Sequence, residues 1–140
     1  MTQPIVVGSE LKFVKEADVR VVCLSADVPT GSAYMSLLED NVAYVIPAGK
    51  ALWITSVFIN DRSGSGATPI YELHYGAQDV AGTVFADFGC AQGTSASVDG
   101  TTAVTFPLHK GPIVAGNYIT LGNTYSSKPY IIVNCVECDL

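Results

Sequence analysis

The chain contains two histidines, His74 and His109. His74 follows Glu72 by two positions inside the alternating run Ile70 to Tyr75. Residues two apart on a strand share a face. A carboxylate and an imidazole would then stand side by side, the local arrangement of two metal ligands. Completing a mononuclear site would require further ligands, for which His109, Asp87 and Asp79 are the remaining candidates.

Other chemistry is sparse. Cupins, which are double-sheet jelly rolls, present His-x-His with a later Glu and a distant His, whereas Tyr71-Glu72-Leu73-His74-Tyr75 supplies only one of the close histidines. His74 therefore reads as an interstrand or surface residue. The sequence has no G-x-S-x-G elbow, P-loop or H-E-x-x-H. Gly64-Ser65-Gly66 has the composition of a flexible tip, and Glu39-Asp40 that of a solvated turn. No catalytic residue, metal or cofactor is expected, and the chain is expected not to be an enzyme. Cys23, Cys90, Cys135 and Cys138 are even in number, which permits a disulfide frame, and Cys135-Val-Glu-Cys138 has the spacing of zinc and redox motifs. That pair ends a strand-like run, however, and residues three apart on a strand face opposite sides. Small buried hydrophobes are the expectation for the cysteines.

The 140 residues suit one domain with a real core, 49% of them hydrophobic and only 14% charged. No apolar stretch approaches the roughly 18 residues of a membrane helix. Thirteen acids against seven bases give a net charge of −6. The bases are scattered singly, so nucleic acid and anionic membranes are poor partners. The start, Met1-Thr-Gln-Pro-Ile-Val-Val-Gly8, has neither the basic leader nor the apolar centre of a secretory signal, so synthesis in a cytoplasm is expected. Low charge with high apolar content points to surface covered by other subunits.

Two segments match at Ile, Ala, Gly and two aliphatic positions: Ile46-Pro-Ala-Gly-Lys-Ala-Leu52-Trp-Ile54 and Ile113-Val-Ala-Gly-Asn-Tyr-Ile119-Thr-Leu121. Ala-Gly supplies a turn, and the alternation after it suits a half-buried strand. Strands are expected at 5–7, 11–14, 19–24, 41–46, 51–60, 70–75, 80–86, 102–106, 118–121 and 130–136, with a turn or short helix over 32–40. Short strands separated by turn signals define an all-β class, an antiparallel sandwich or jelly roll with little or no helix. Residues 1–8 read as an extended arm and 9–140 as one sandwich domain. Along Ala51 to Asn60, strict alternation puts Leu52, Ile54 and Phe58 on one face and Trp53, Val57 and Ile59 on the other. The last strand sets Ile131 and Val133 opposite Tyr130, Ile132 and Val136. Tyr118 and Thr120 read as a wet outer face. The Ser/Gly-rich loops at 61–69 and 91–102 read as tips.

The runs Tyr44 to Asn60 and Thr105 to Leu121, with their Pro-Ala-Gly and Val-Ala-Gly corners feeding strands, resemble small jelly-roll virion proteins of tailed bacteriophages. These are of the head-decoration (cement) or tail-fibre type. The resemblance implies a virion structural protein, a trimer or other ring, bound to itself and to the major capsid or other virion proteins. On this reading the interface comprises Ile5, Val6, Val7, Trp53, Val57, Ile59, Tyr130 and Ile132. A receptor- or glycan-binding module using the Ser/Gly loops and Tyr125 is the second reading. A cupin-like enzyme, the third, would need Glu72, His74 and His109 to converge.

Overall fold

In the computed structural model the described residues are 2–7, 10–15, 19–27, 34–61, 70–89, 100–123 and 129–139, and among them there is no helix. Twelve strands follow one another: β1 (Thr2–Val7), β2 (Glu10–Lys15), β3 (Val19–Asp27), β4 (Tyr34–Ser36), β5 (Leu38–Glu39), β6 (Val42–Ala43), β7 (Lys50–Asp61), β8 (Ile70–Gly76), β9 (Thr83–Gly89), β10 (Gly100–Val114), β11 (Tyr118–Asn123) and β12 (Pro129–Asp139). They form a hairpin of β1 and β2, a six-stranded sheet in the order β10-β7-β12-β3-β5-β6, and a four-stranded sheet in the order β4-β11-β8-β9.

Nesting explains this order. The antiparallel pairs β3/β12, β4/β11, β7/β10 and β8/β9 each enclose the next along the chain. They fall alternately in the six- and four-stranded sheets. A long hairpin folded on itself and rolled into two sheets has this connectivity, which is that of a jelly roll. The hairpin β1/β2 runs beside β10.

Both repeated corners turn where they must, with Gly49 at φ +75° and Gly116 at φ +84°, values that glycine adopts without steric cost. The corners also meet, since Ile46 N–H donates to Asn117 O at 3.0 Å and Gly116 N–H to Ile46 O at 2.8 Å. One repeat thereby feeds β7 in the six-stranded sheet while the other feeds β11 in the four-stranded sheet. Leu52 and Ile54 from the first then face Ile119 and Leu121 from the second across a common core. Val22, Leu24, Ile131 and Val133 extend that core along β3 and β12. Each such side chain contributes about 1.5–3 kcal/mol by leaving water.

Three expectations are corrected. The register of β7 against β12 shifts between Asn134/Ser56 and Cys135/Ile54, so Thr55 is an extra residue with no partner across. A bulge inverts the facing of everything after it. Val57 and Ile59 therefore join Leu52 and Ile54 in the inter-sheet core, while Trp53 lies on the other face with Ala51, Val136 and Cys138. Tyr34–Ser36 and Leu38–Glu39 are strands where a turn or short helix is expected, with Leu37 fully buried between β4 and β5. The β5/β6 hairpin closes through Asp40 and Asn41, both at positive φ (50° and 66°), as a tight two-residue hairpin turn demands. Finally, Thr120 is buried because residues 77–82 fold over the outside of the four-stranded sheet.

Candidate assembly surface

Glu72 and His74 do share a face of β8, with Nε2 of His74 3.0 Å from Oε2 of Glu72. On the other side of the ring, Nδ1 lies 3.3 Å from Gly82 N and 3.2 Å from Gly82 O. A neutral imidazole donates from Nε2 to Glu72 and accepts the Gly82 N–H, whereas a protonated one donates to Glu72 and to the Gly82 carbonyl. Both nitrogens are engaged either way, and His74 is buried at 3% exposure. Gly122 presses against the ring, where a Cβ would stand 2.7 Å from Nε2, and Tyr34 meets it edge-on with centroids 5.4 Å apart.

Beside this pair, Ser36 Oγ lies 2.9 Å from Thr120 Oγ1 and accepts Asp79 N–H at 2.8 Å, while Asp79 Oδ1 accepts Ser36 N–H at 2.8 Å. The whole cluster clasps residues 77–82 onto the sheet. His109 lies on β10, in the other sheet, and Asp79 spends its carboxylate on Ser36. Glu72, His74 and His109 do not converge. Among the described residues no group of three or more His, Cys, Asp and Glu is placed to hold a metal ion.

A second polar cluster closes one end of the six-stranded sheet. Arg20 forks onto Glu39 at 2.7 and 2.9 Å and reaches Glu137 at 3.4 Å. Glu137 is 5% exposed and also accepts the Tyr44 hydroxyl at 2.5 Å. Burial first, then the bond to Glu137, pushes the Tyr44 hydroxyl well above its ordinary titration range. Arg20, Glu39 and Tyr44, with Val42, Val45 and Pro47, line a shallow groove of about 220 Å³.

Among the described residues, the outer face of the six-stranded sheet is a weakly charged surface. Cross-strand pairing sets its rows as Val19–Cys138–Ala51, Val21–Val136–Trp53, Cys23–Asn134–Ser56, Ser25–Ile132–Phe58 and Asp27–Tyr130–Asn60. One charged residue occurs in those five rows, Asp27, at the end. Trp53 and Val136 are covered (1% and 5% exposed), and Gly111 packs so closely on the indole that a Cβ there would lie 2.8 Å from Cδ1. Val21, in the same row, is 71% exposed. Phe58, Tyr130 and Ile132 are half-buried, and Cys23 is exposed. Asn134 donates to Ser56 Oγ at 3.0 Å, so polar groups within the face satisfy one another.

Of the residues expected at an interface, Trp53, Tyr130 and Ile132 therefore share this outer face, whereas Val57 and Ile59 belong to the inter-sheet core. Ile5, Val6 and Val7 lie on β1, paired with β2. Tyr125 and the loops at 62–69 and 90–99 lie outside the described residues. Cys135 and Cys138 are buried on opposite sides of the sheet, as residues three apart require. Burial pushes the Cys135 thiol up. Cys23, expected as a small buried hydrophobe, is instead exposed, and Val21 escaped the sequence reading, although the alternation of Val22, Leu24 and Ala26 marks the opposite side of β3 as the outer one.

No protein-family model matches the chain, and no curated protein matches it. Among solved structures, the chain is similar to one from the capsid asymmetric unit of cyanophage Pam1, with a TM-score of 0.40 and 14% identity over 88% of this chain and 86% of that one.

Proposed function

We propose that this chain is a virion structural protein, a decoration or cement protein that binds and stabilises a phage shell through protein–protein contacts. The observation that carries the reading is the outer face of the six-stranded sheet. A water-facing sheet surface ordinarily alternates charged and polar residues against the core side. Here Val21, Phe58, Tyr130 and Ile132 stand on that surface with a single charge at its edge. Depletion of charge around apolar and aromatic residues is the signature of an interface centre. The side chains best suited to chemistry fit the same reading: His74 bonds Glu72 and Gly82, Ser36 bonds Thr120 and Asp79, and the bonds to Gly82 and Asp79 fasten a loop. Contacts of this kind stabilise a shell by burying apolar area at about 25 cal/mol per Å², repeated over many copies.

The test is co-sedimentation of the purified chain with shells stripped of it. Saturable binding at a fixed number of copies per shell, with a raised shell melting temperature, is the expected result. Absence of saturable binding would overturn the decoration role.

A further inference from the structure

Beyond the contact of the outer face with a shell, we infer that copies of this chain join head to tail through the two opposite edges of the six-stranded sheet. A bulge on β10 of one copy sits in the groove beside β6 of the next. β10 and β6 are the outermost strands of that sheet. On β10, Thr105 pairs with Ser56 and Lys110 with Ile54, so the four residues Phe106 to His109 stand against Thr55 alone. Surplus backbone of this kind must leave the line of the strand. Its base is fixed, because Phe106 packs against the core and Lys110 Nζ lies 5.7 Å from the centre of the Phe106 ring. Its crest is Pro107 and Leu108, both exposed, Leu108 to 65%. The result is an apolar knob beside a held cation. At the other edge the groove of about 220 Å³ is walled by Val42, Ala43, Val45 and Pro47, with Val42 69% and Val45 40% exposed.

Two observations select a second copy as the occupant of that groove. The knob and the groove belong to one chain and stand at opposite edges of one sheet, so each copy supplies both halves of a contact that repeats. The edges are also opposite in sign. β10 carries Lys110 and no acid, and β2 of the hairpin beside it carries Lys12 and Lys15 against Glu10. At the β6 edge Glu39, Asp40 and Glu137 stand with Arg20. The net charge of −6 repels copies that approach in other orientations, whereas this one brings a basic edge to an acidic one. Pairing either edge with its own image would instead oppose like charges. A head-to-tail contact closes into a ring where its rotation allows and otherwise extends as a filament. It uses edges, so the outer face of the sheet stays open to a shell.

The experiment measures solution mass by light scattering across a dilution series, with circular dichroism on each sample. It compares the wild type with Leu108→Asp, Lys110→Glu, Val42→Lys, the double variant Lys110→Glu/Val42→Lys, and Val21→Asp as a control on the outer face. The wild type and Val21→Asp are expected at a multiple of the 14.7 kDa chain mass. Leu108→Asp replaces the knob with an acid facing acids, and each single charge variant sets like charges together, so each should raise the dissociation constant about tenfold or more. The double variant restores opposite signs and should regain the wild-type mass. Folds should be unchanged, because Leu108 and Val42 lie mostly in water. A wild type that stays monomeric at about 100 μM, enough to populate a micromolar contact, would overturn the inference whatever the variants do. So would an oligomer that survives Leu108→Asp, one lost in Val21→Asp, or a folded double variant no tighter than its parents. A monomer that still saturates shells would refute this contact while leaving the decoration reading intact; an oligomer that ignores shells would do the reverse.

Discussion

Replacing Tyr44 with Phe isolates the buried carboxylate of Glu137. The side chains differ by one hydroxyl, so no cavity forms, and Glu137 loses its 2.5 Å bond while staying 5% exposed. Its other contact, Arg20 Nε at 3.4 Å, is long, and the terminal nitrogens of that guanidinium are committed to Glu39. A hydrogen bond to a charged group contributes about 1.5–3 kcal/mol, and burial of both partners places the loss at about 2–3 kcal/mol. For 140 residues the melting temperature should fall by about 3–4 °C per kcal/mol, hence roughly 6–12 °C. Urea unfolding at pH 7 would measure the free energy. In a Glu137→Gln background the acceptor is neutral, and the same substitution should cost only about 1 kcal/mol. The comparison also depends on pH. Tyr44 holds its proton in the folded chain well above its ordinary range, whereas an unfolded tyrosine releases it near about pH 10. The resulting stability is whole below about pH 10 and is lost as pH rises above it, so the gap between wild type and variant should narrow there. A loss under about 0.5 kcal/mol at pH 7, or a gap that widens above pH 10, would refute the reasoning.

Other expectations follow from single contacts. Trp53→Ala should destabilise the fold by about 3–5 kcal/mol in calorimetry, because the indole is covered within one chain. Gly111→Ala should cost about 1–3 kcal/mol by overpacking, since its Cβ would lie 2.7 Å from Leu52 O and 2.8 Å from the indole. Ser36→Ala should release the Asp79 amide, read as faster hydrogen exchange at residues 77–82 with the rest of the sheet unchanged. At high dilution and pH 8, iodoacetamide should modify Cys23 while sparing Cys135, whose thiol is both buried and held protonated.

Much of the fold is legible in the alternation of β12 and of the first half of β7, which separates the two faces of the sheet one residue at a time. The two Ala-Gly corners are legible as turns, and their pairing across the sheets follows from the jelly-roll winding. The Cys135–Cys138 spacing is legible as two faces. The bulge at Thr55 is not, because Thr-Ser within a continuous strand carries no local mark of an extra residue, and that one residue moves Val57 and Ile59 into the core. Strands as short as Tyr34–Ser36 and Leu38–Glu39 are too brief to display a period. The burial of Thr120 and His74 depends on a loop whose placement is fixed by Asp79 bonding Ser36, 43 positions away. The Arg20–Glu137 contact spans 117 positions and has no local signature at all. Only the exposed side of β3 could have been read earlier, from the alternation itself.

The most direct test of the virion reading is the composition of purified particles from a phage that encodes this chain, measured by quantitative mass spectrometry. Its peptides should be present at a fixed, high copy number relative to the major shell protein, and should remain after washing at high salt, which weakens charged contacts more than apolar ones. Particles of full infectivity and stability that contain none of it would contradict the proposal.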